Sequence, residues 1–193
     1  MSDEYFIMLA EPRWAGPTAF RVAGSETRMN RGKRVREDLG LFEFELRVDE
    51  QASDPLAFPP LDLHDPAGGQ PLFSRRLIEA LREIGVSNID YYPARVIYEP
   101  TGAELDYEVA NVIGMVSGLD LDKSNVQVDD AGFVERVRRM VFDESQFEGQ
   151  DLVRLREKKN LIVISRRVKE RIEEKALTGI MIIRDEEWQP GMI

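Results

Sequence analysis

Strict alternation marks one stretch of this chain before anything else. In Phe42-Glu43-Phe44-Glu45-Leu46-Arg47-Val48 the apolar Phe42, Phe44, Leu46 and Val48 fall on every second position. Successive side chains of a strand point to opposite faces, so this period predicts a strand with one side buried. Shorter apolar runs predict strands at Tyr5–Leu9 and Ala19–Val22, with the turn-forming Pro12, Gly16 and Pro17 between them. Pro55, Pro59, Pro60, Pro66 and Pro71, with Gly68-Gly69, predict a long irregular connection. Its Leu56, Phe58, Leu61 and Leu63 make it apolar enough to pack against a core.

The period changes at Ser74. Leu77, Ile78, Leu81 and Ile84 form one helical stripe, and Arg75, Arg76, Glu79, Arg82 and Glu83 form the opposite face. The Ser74 hydroxyl is placed to accept a first-turn N–H, and Gly85 is placed to end the helix with a positive φ. Strands are predicted at Ile89–Tyr98 and Leu105–Val116, joined by the turn Pro100-Thr101-Gly102. Asp130-Ala131-Gly132 reads as a hairpin turn into an extended Phe133–Phe142, although Val134, Val137 and Val141 also suit a helix. Leu161–Ile164 is a short β-branched run that predicts a buried strand. Ser165 caps a second helix with Val168, Ile172 and Ala176 inward, and Gly179 leads into a strand at Ile180–Ile183. That strand–helix–strand spacing predicts a crossover between two parallel neighbours.

Residues 165–180 echo residues 74–89. Both begin Ser-Arg-Arg, and Glu170 and Glu174 fall opposite Glu79 and Glu83. Any capped amphipathic helix generates such a likeness, and the flanking segments do not match, so it is read as a recurring local pattern and not a duplication. The predicted fold is α+β: a single domain over residues 1–193 with a mixed or mainly antiparallel sheet. Its two principal amphipathic helices span about 74–84 and 165–177. Residues 71–184 form the better-defined core, 1–70 an N-terminal strand and loop region, and 185–193 a tail.

Composition acts mainly by exclusion. The 193 residues contain no cysteine and one histidine, which removes disulfide scaffolds, zinc ribbons and thiol nucleophiles. No apolar run approaches the roughly 18 residues of a membrane-spanning helix. The start Met1-Ser2-Asp3-Glu4 is acidic where a secretory leader is basic, so the expectation is a cytoplasmic protein without a membrane partner. With 26 basic and 36 acidic residues the net charge is −10, which disfavours nucleic acid as a partner. One block, Arg28–Arg36, carries five positive charges and leaves −15 on the rest of the chain. It is read as a solvated hairpin or an intramolecular partner for acidic loops.

Three constellations invite chemistry and fail on their own residues. His64-Asp65 resembles a base with its orienting carboxylate, yet no Gly-x-Ser-x-Gly elbow supplies a nucleophile, so a structural role is expected. Asp120-Leu121-Asp122-Lys123-Ser124-Asn125 imitates the start of a calcium loop. The loop needs Gly where Asn125 stands and Glu where Ala131 stands, so a turn or ion-pairing role is expected instead. Gly114 and Gly118 follow a strand without the spacing of a phosphate loop. The reading is therefore no catalytic residue, no cofactor and no metal.

Three segments carry a resemblance. They are Ser74-Arg75-Arg76-Leu77-Ile78-Glu79-Ala80-Leu81 with Gly85 to Pro93, Tyr107–Gly114 followed by Leu119–Ser124, and Ser165–Glu170 with Leu177-Thr178-Gly179. Over roughly residues 70–183 the chain resembles the eleventh immunity-protein family of bacterial polymorphic toxin systems, typified by a Myxococcus protein. The resemblance implies a non-enzymatic inhibitor that binds a cognate toxin. It carries over no catalytic residue; Asn111, Asp120 and Ser124 match motif positions that equally serve to hold the fold.

An acidic inhibitor suits a toxin with a basic active-site surface, to which it is steered electrostatically. Candidate contacts are Glu99, Glu104 and Asp106, then Asp120, Asp122, Asp129 and Asp130, then Asp143, Glu144 and Glu148, with Tyr98 and Tyr107 as anchors if exposed. Two other functions remain open from the residues alone: an enzyme whose carboxylates converge in a cleft, and a homo-oligomeric scaffold with a self-complementary apolar surface.

Overall fold

The computed structural model describes residues 4–11, 16–49, 51–66, 69–130 and 134–192. In chain order the first elements are β1 (Tyr5–Ala10), β2 (Thr18–Ala23), β3 (Phe42–Arg47), β4 (Leu63–His64), β5 (Leu72–Ser74), α1 (Arg75–Glu83) and β6 (Ile89–Tyr98). They are followed by β7 (Ala103–Leu105), β8 (Tyr107–Val112), β9 (Met115–Val116), β10 (Asn125–Val128) and β11 (Val134–Arg139). The last are β12 (Leu152–Leu155), β13 (Ile162–Ser165), α2 (Arg166–Glu174) and β14 (Ile180–Ile183). The fold is α+β, as the pattern predicts, with two helices and mixed sheets.

The alternating stretch forms β3 and buries Phe42, Phe44 and Leu46 almost completely. It lies between an antiparallel β2 and a parallel β6. β6 is long enough to serve two neighbours. Residues 94–98 pair β3 and residues 89–93 pair β8, while β7 continues the β8 edge in the same register. This sheet runs β2-β3-β6-β8-β5-β4. A second sheet runs β14-β1-β13-β12-β9, and β10 with β11 forms a separate hairpin.

The predicted strand Leu105–Val116 is interrupted twice. It breaks at Asp106, and again at Ile113-Gly114, where the chain leaves the first sheet so that Met115 and Val116 pair β12 of the second. Gly114 takes φ 107, a conformation closed to most side chains; its N–H donates to the Gly32 carbonyl and its own carbonyl accepts from the Arg154 N–H. The predicted strand near residues 133–142 is present as β11, paired with β10. Ala131 and Gly132 of the expected hairpin turn, and Phe133 at the start of the expected strand, lie outside the described residues.

Three expectations are corrected. β13 and β14 run parallel but are not neighbours, because β1 lies antiparallel between them. Ala176 does not face inward from α2; it lies past the helix end, exposed, with φ 47. The terminal segment is not a free tail. Trp188 is buried in the core, and the Asp185 carboxylate accepts the Phe142 N–H at 2.6 Å.

The echo between residues 74–89 and 165–180 has a structural counterpart. β5, α1 and β6 form a strand–helix–strand unit split by β8, and β13, α2 and β14 form another split by β1. Each unit carries one further antiparallel strand on the outside, β4 and β12 respectively. The Ser74 N–H donates to the Asp62 carbonyl and its hydroxyl to the Asp62 carboxylate. Ser165 makes the same two bonds to Asp151. Arg76 pairs Asp62, and Arg167 pairs Asp151. Both helices end alike: the Gly85 and Val86 N–H groups return to Arg82 and Leu81, and those of Ala176 and Leu177 return to Glu173 and Ile172. The likeness is thus architectural and exceeds a capped helix. Its flanks differ because the splitting strand comes from different places in the chain: β8 follows its unit, whereas β1 precedes everything.

Both central sheets are covered on two faces. Phe6 and Met8 of β1 meet Leu77, Ile78, Leu81, Val168 and Ile172 of the helices in one core, which also takes in Phe73, Ala110 and Val112. Tyr5, Ile7 and Leu9 face a second core under the hairpin, with Met140, Phe142, Phe147 and Trp188. A third core joins Phe42, Phe44 and Leu46 to Met29, Val96 and Val109. Burial on both faces explains why β1 and β13 read as unbroken apolar runs instead of alternating.

Candidate partner-binding surface

The sequence-predicted acidic residues divide between the two ends of the β10–β11 hairpin and the β6–β8 region. At the root of the β10–β11 hairpin the chain crosses itself: the Asp120 N–H donates to the Val141 carbonyl and the Asp143 N–H to the Gly118 carbonyl, each at 2.9 Å. Ser124 fastens the crossing, its hydroxyl donating to the Val141 carbonyl and accepting the Val141 N–H. Asp120 and Asp143 are brought together, with Asp122 beside Lys123 between them. Asp120 accepts the Lys123 backbone N–H at 3.1 Å, and its carboxylate pairs the Lys123 ammonium at 2.7 Å. The segment is therefore a turn with an ion pair, as its side chains predict.

Asp120 and Asp143 are held charged. The hydrogen bond from Lys123 keeps the Asp120 carboxyl below the ordinary aspartate range. Hydrogen bonds from the Ser145 hydroxyl and then the Gln146 amide lower Asp143, against the opposing field of Asp120. Glu144 begins a short 3-10 turn that ends at Phe147, whose ring lies 5.1 Å from both Tyr5 and Phe142. The acidic loop is thereby anchored to the core beneath it. Asp129 and Asp130 follow β10 at the opposite end of the hairpin.

The second group lies along β6 to β8. The Glu99 N–H donates to the Leu46 carbonyl, Glu104 pairs Arg95 at 3.3 Å, and the Asp106 carbonyl accepts the Arg75 N–H that opens α1. Tyr98 and Tyr107 are not exposed anchors. Their hydroxyls donate to Pro55 and Phe58 carbonyls and to the Leu61 carbonyl, tying the proline-rich connection onto the sheet. Both are buried, because an amphipathic ring beside an irregular segment satisfies that segment's carbonyls. The apolar residues that do face outward near the acids are Leu121 and Val128, 51% and 49% exposed. Sequence reasoning passed over them, although the order Asp120-Leu121-Asp122 already sets an apolar side chain between two charges.

Elsewhere the titratable groups bind the fold together. His64 is 5% exposed, accepts the Leu61 N–H at Nε2, and is also hydrogen-bonded to the Pro17 backbone. Burial lowers its pKa to about 4, against the smaller opposing effects of that bond and of Asp62, so it is neutral at physiological pH. The Asp62 carboxylate accepts from Ser74, Arg76 and Thr178, joining both helix-bearing units. Among the described residues no three His, Asp or Glu side chains converge in a way that could hold a metal ion. No helix among them is long and apolar enough to cross a membrane.

The Arg28–Arg36 block is no hairpin. Its backbone docks on the fold through Met29, Gly32 and Lys33, and Arg34 pairs Asp90.

Comparison with known protein families matches residues 11–184 to the immunity protein family Imm11. The chain belongs to this family. No curated protein matches it. The Imm11 match begins well before residue 70, where the recognisable motifs start, and so takes in β2, β3 and the basic block. The two strand–helix–strand units that frame the core both lie inside it, apart from β1. Of the motif residues, Asn111 is 1% exposed and donates to the Lys33 carbonyl, and Asp120 and Ser124 fasten the hairpin root. Each has a bond that holds the fold.

Proposed function

We propose that this Imm11 protein binds a cognate bacterial toxin in the cytoplasm and neutralises it as a stoichiometric, non-catalytic inhibitor. Membership of an immunity protein family over residues 11–184 carries this reading. The hairpin root supports a contact role, because it combines fixed charge with an exposed apolar side chain on a braced loop. Interfaces that bind tightly set an apolar centre within a polar rim, and Leu121 between Asp120 and Asp122 has that composition. A net charge of −10 steers the protein toward a basic toxin surface.

The test is co-expression with the toxin product of the adjacent gene. The expected result is a complex that survives size exclusion, with growth restored in cells that the toxin alone stops. Failure of every neighbouring toxin candidate to form a complex or spare growth would sink the proposal.

A further inference from the structure

The one strongly basic stretch of this acidic chain lines an open basin of about 1010 Å³. Lys33, Arg34 and Arg36 enter from the block, Arg82 from the last turn of α1, and Tyr91 and Tyr92 from β6. Asp90 and Glu108 are the acids on its wall, and Asp90 is engaged by Arg34. Among the described residues Lys33, Arg36 and Arg82 have no carboxylate partner. The guanidinium of Arg82 lies 5.1 Å over the Tyr91 ring, which leaves its hydrogen-bonding edge free. The Tyr91 hydroxyl is buried and meets no hydrogen-bond partner among the described residues. Desolvation raises its pKa above the ordinary phenol value, so it is a neutral O–H donor.

Three unpaired cations and a buried orphan donor call for a ligand that brings acceptors and negative charge. The basin is open, whereas sites for small phosphorylated ligands enclose most of the ligand surface, which favours an extended acidic segment. An acidic peptide segment laid across it meets planar guanidinium groups suited to bidentate carboxylate pairing.

We propose that this basin seats a carboxylate-bearing segment of the toxin, with Lys33, Arg36 and Arg82 pairing its acids and Tyr91 donating to one of them. The inference rests on the toxin-binding function and adds a second contact of opposite sign to the acidic loops. A partner must then present both a basic and an acidic feature at the right separation, which rejects proteins that are merely basic. Arg82 lies over the Tyr91 ring in the free protein; pairing with the incoming acid draws the guanidinium outward and opens the way to the phenol.

The experiment measures affinity for the co-purified toxin by calorimetry in about 0.15 M salt. Lys33→Glu, Arg36→Glu and Arg82→Glu together are expected to weaken binding at least 100-fold, while the same charge change at Arg156, Lys158 and Lys159 costs no more than threefold. Tyr91→Phe is expected to leave the melting temperature of the free protein unchanged or raised and to weaken binding about tenfold. Equal affinities for the basin and control variants would overturn the inference while leaving toxin binding intact. Basin-dependent micromolar binding of ATP or inorganic phosphate would replace it with a phosphate site. If the wild-type protein binds no toxin, the functional reading fails first and this inference with it.

Discussion

Asp62 shows how one buried side chain can hold distant parts of a chain together. Its carboxylate receives Ser74 at 2.5 Å, Arg76 at 3.0 Å, and both the N–H and hydroxyl of Thr178, and its backbone also bonds Thr178 and Ser74. Asp151 occupies the equivalent place below α2, but its side chain is 29% exposed, where that of Asp62 is 4% exposed. Water can replace the bonds lost at Asp151 and cannot do so at Asp62. Asp62→Ala is therefore expected to cost about 3 kcal/mol or more, and Asp151→Ala about 1 kcal/mol, measured by urea unfolding. His64 makes a separate prediction with pH. Its pKa is about 4 in the folded protein, below the ordinary 6.5, so the folded state favours the neutral ring. The stabilisation is complete above pH 6.5 and is lost as pH falls toward 4. Between about pH 7 and pH 5 this one group should remove about 2 kcal/mol of stability. His64→Gln should flatten that part of the profile; an unchanged slope would place the sensitivity in other groups.

The two helices show what sequence reveals of an element and what it does not. The caps and apolar stripes of α1 and α2 and the end point of α1 follow from local spacing, and Ser74, Ser165 and Gly85 act as that spacing dictates. Ala176 was misplaced because a 3.6-residue period continues past Glu174 while the backbone does not. The residue after a helix cap commonly takes the left-handed conformation, which Gly85 adopts freely and Ala176 adopts under strain. Ala176→Gly should thus stabilise the protein by about 0.5–1 kcal/mol. Gly85→Ala should destabilise by about 1 kcal/mol, since its added Cβ would meet no atom within 4 Å and backbone strain is the only penalty. Thermal melts read both, and a destabilising Ala176→Gly would refute the shared end geometry. Strand pairing was less legible, because β1 enters between β13 and β14 from more than 150 residues away and leaves no local sign of it. The candidate surface was partly legible for the same reason. Asp120 and Ser124 announce a turn, whereas the burial of Tyr98 and Tyr107 depends on carbonyls some 40 residues earlier.

Across the whole molecule, charge is uneven in a way that separates two kinds of contact. The chain carries −10, yet three cations without a carboxylate partner among the described residues gather on one basin. Long-range attraction depends on the total and on exposed acids, and it acts on the association rate. Leu121, half exposed at the hairpin root, can act only after contact, by leaving water. The two are separable by kinetics. Asp120→Asn, Asp122→Asn and Asp143→Asn remove three charges and keep one acceptor oxygen at each position, enough for the Lys123 N–H at Asp120 and the Ser145 hydroxyl at Asp143. With the toxin complex in hand, this triple variant should associate about tenfold more slowly in about 0.01 M salt, where the Debye length is about 30 Å. The difference should shrink to less than twofold in about 1 M salt, where that length is about 3 Å. Leu121→Ala should instead leave association unchanged and speed dissociation about tenfold at either salt concentration. Stopped-flow mixing supplies the first rate and competition with unlabelled protein the second. If the triple variant associates as fast as the wild type in low salt, and Leu121→Ala dissociates no faster, the hairpin root is not where the toxin binds.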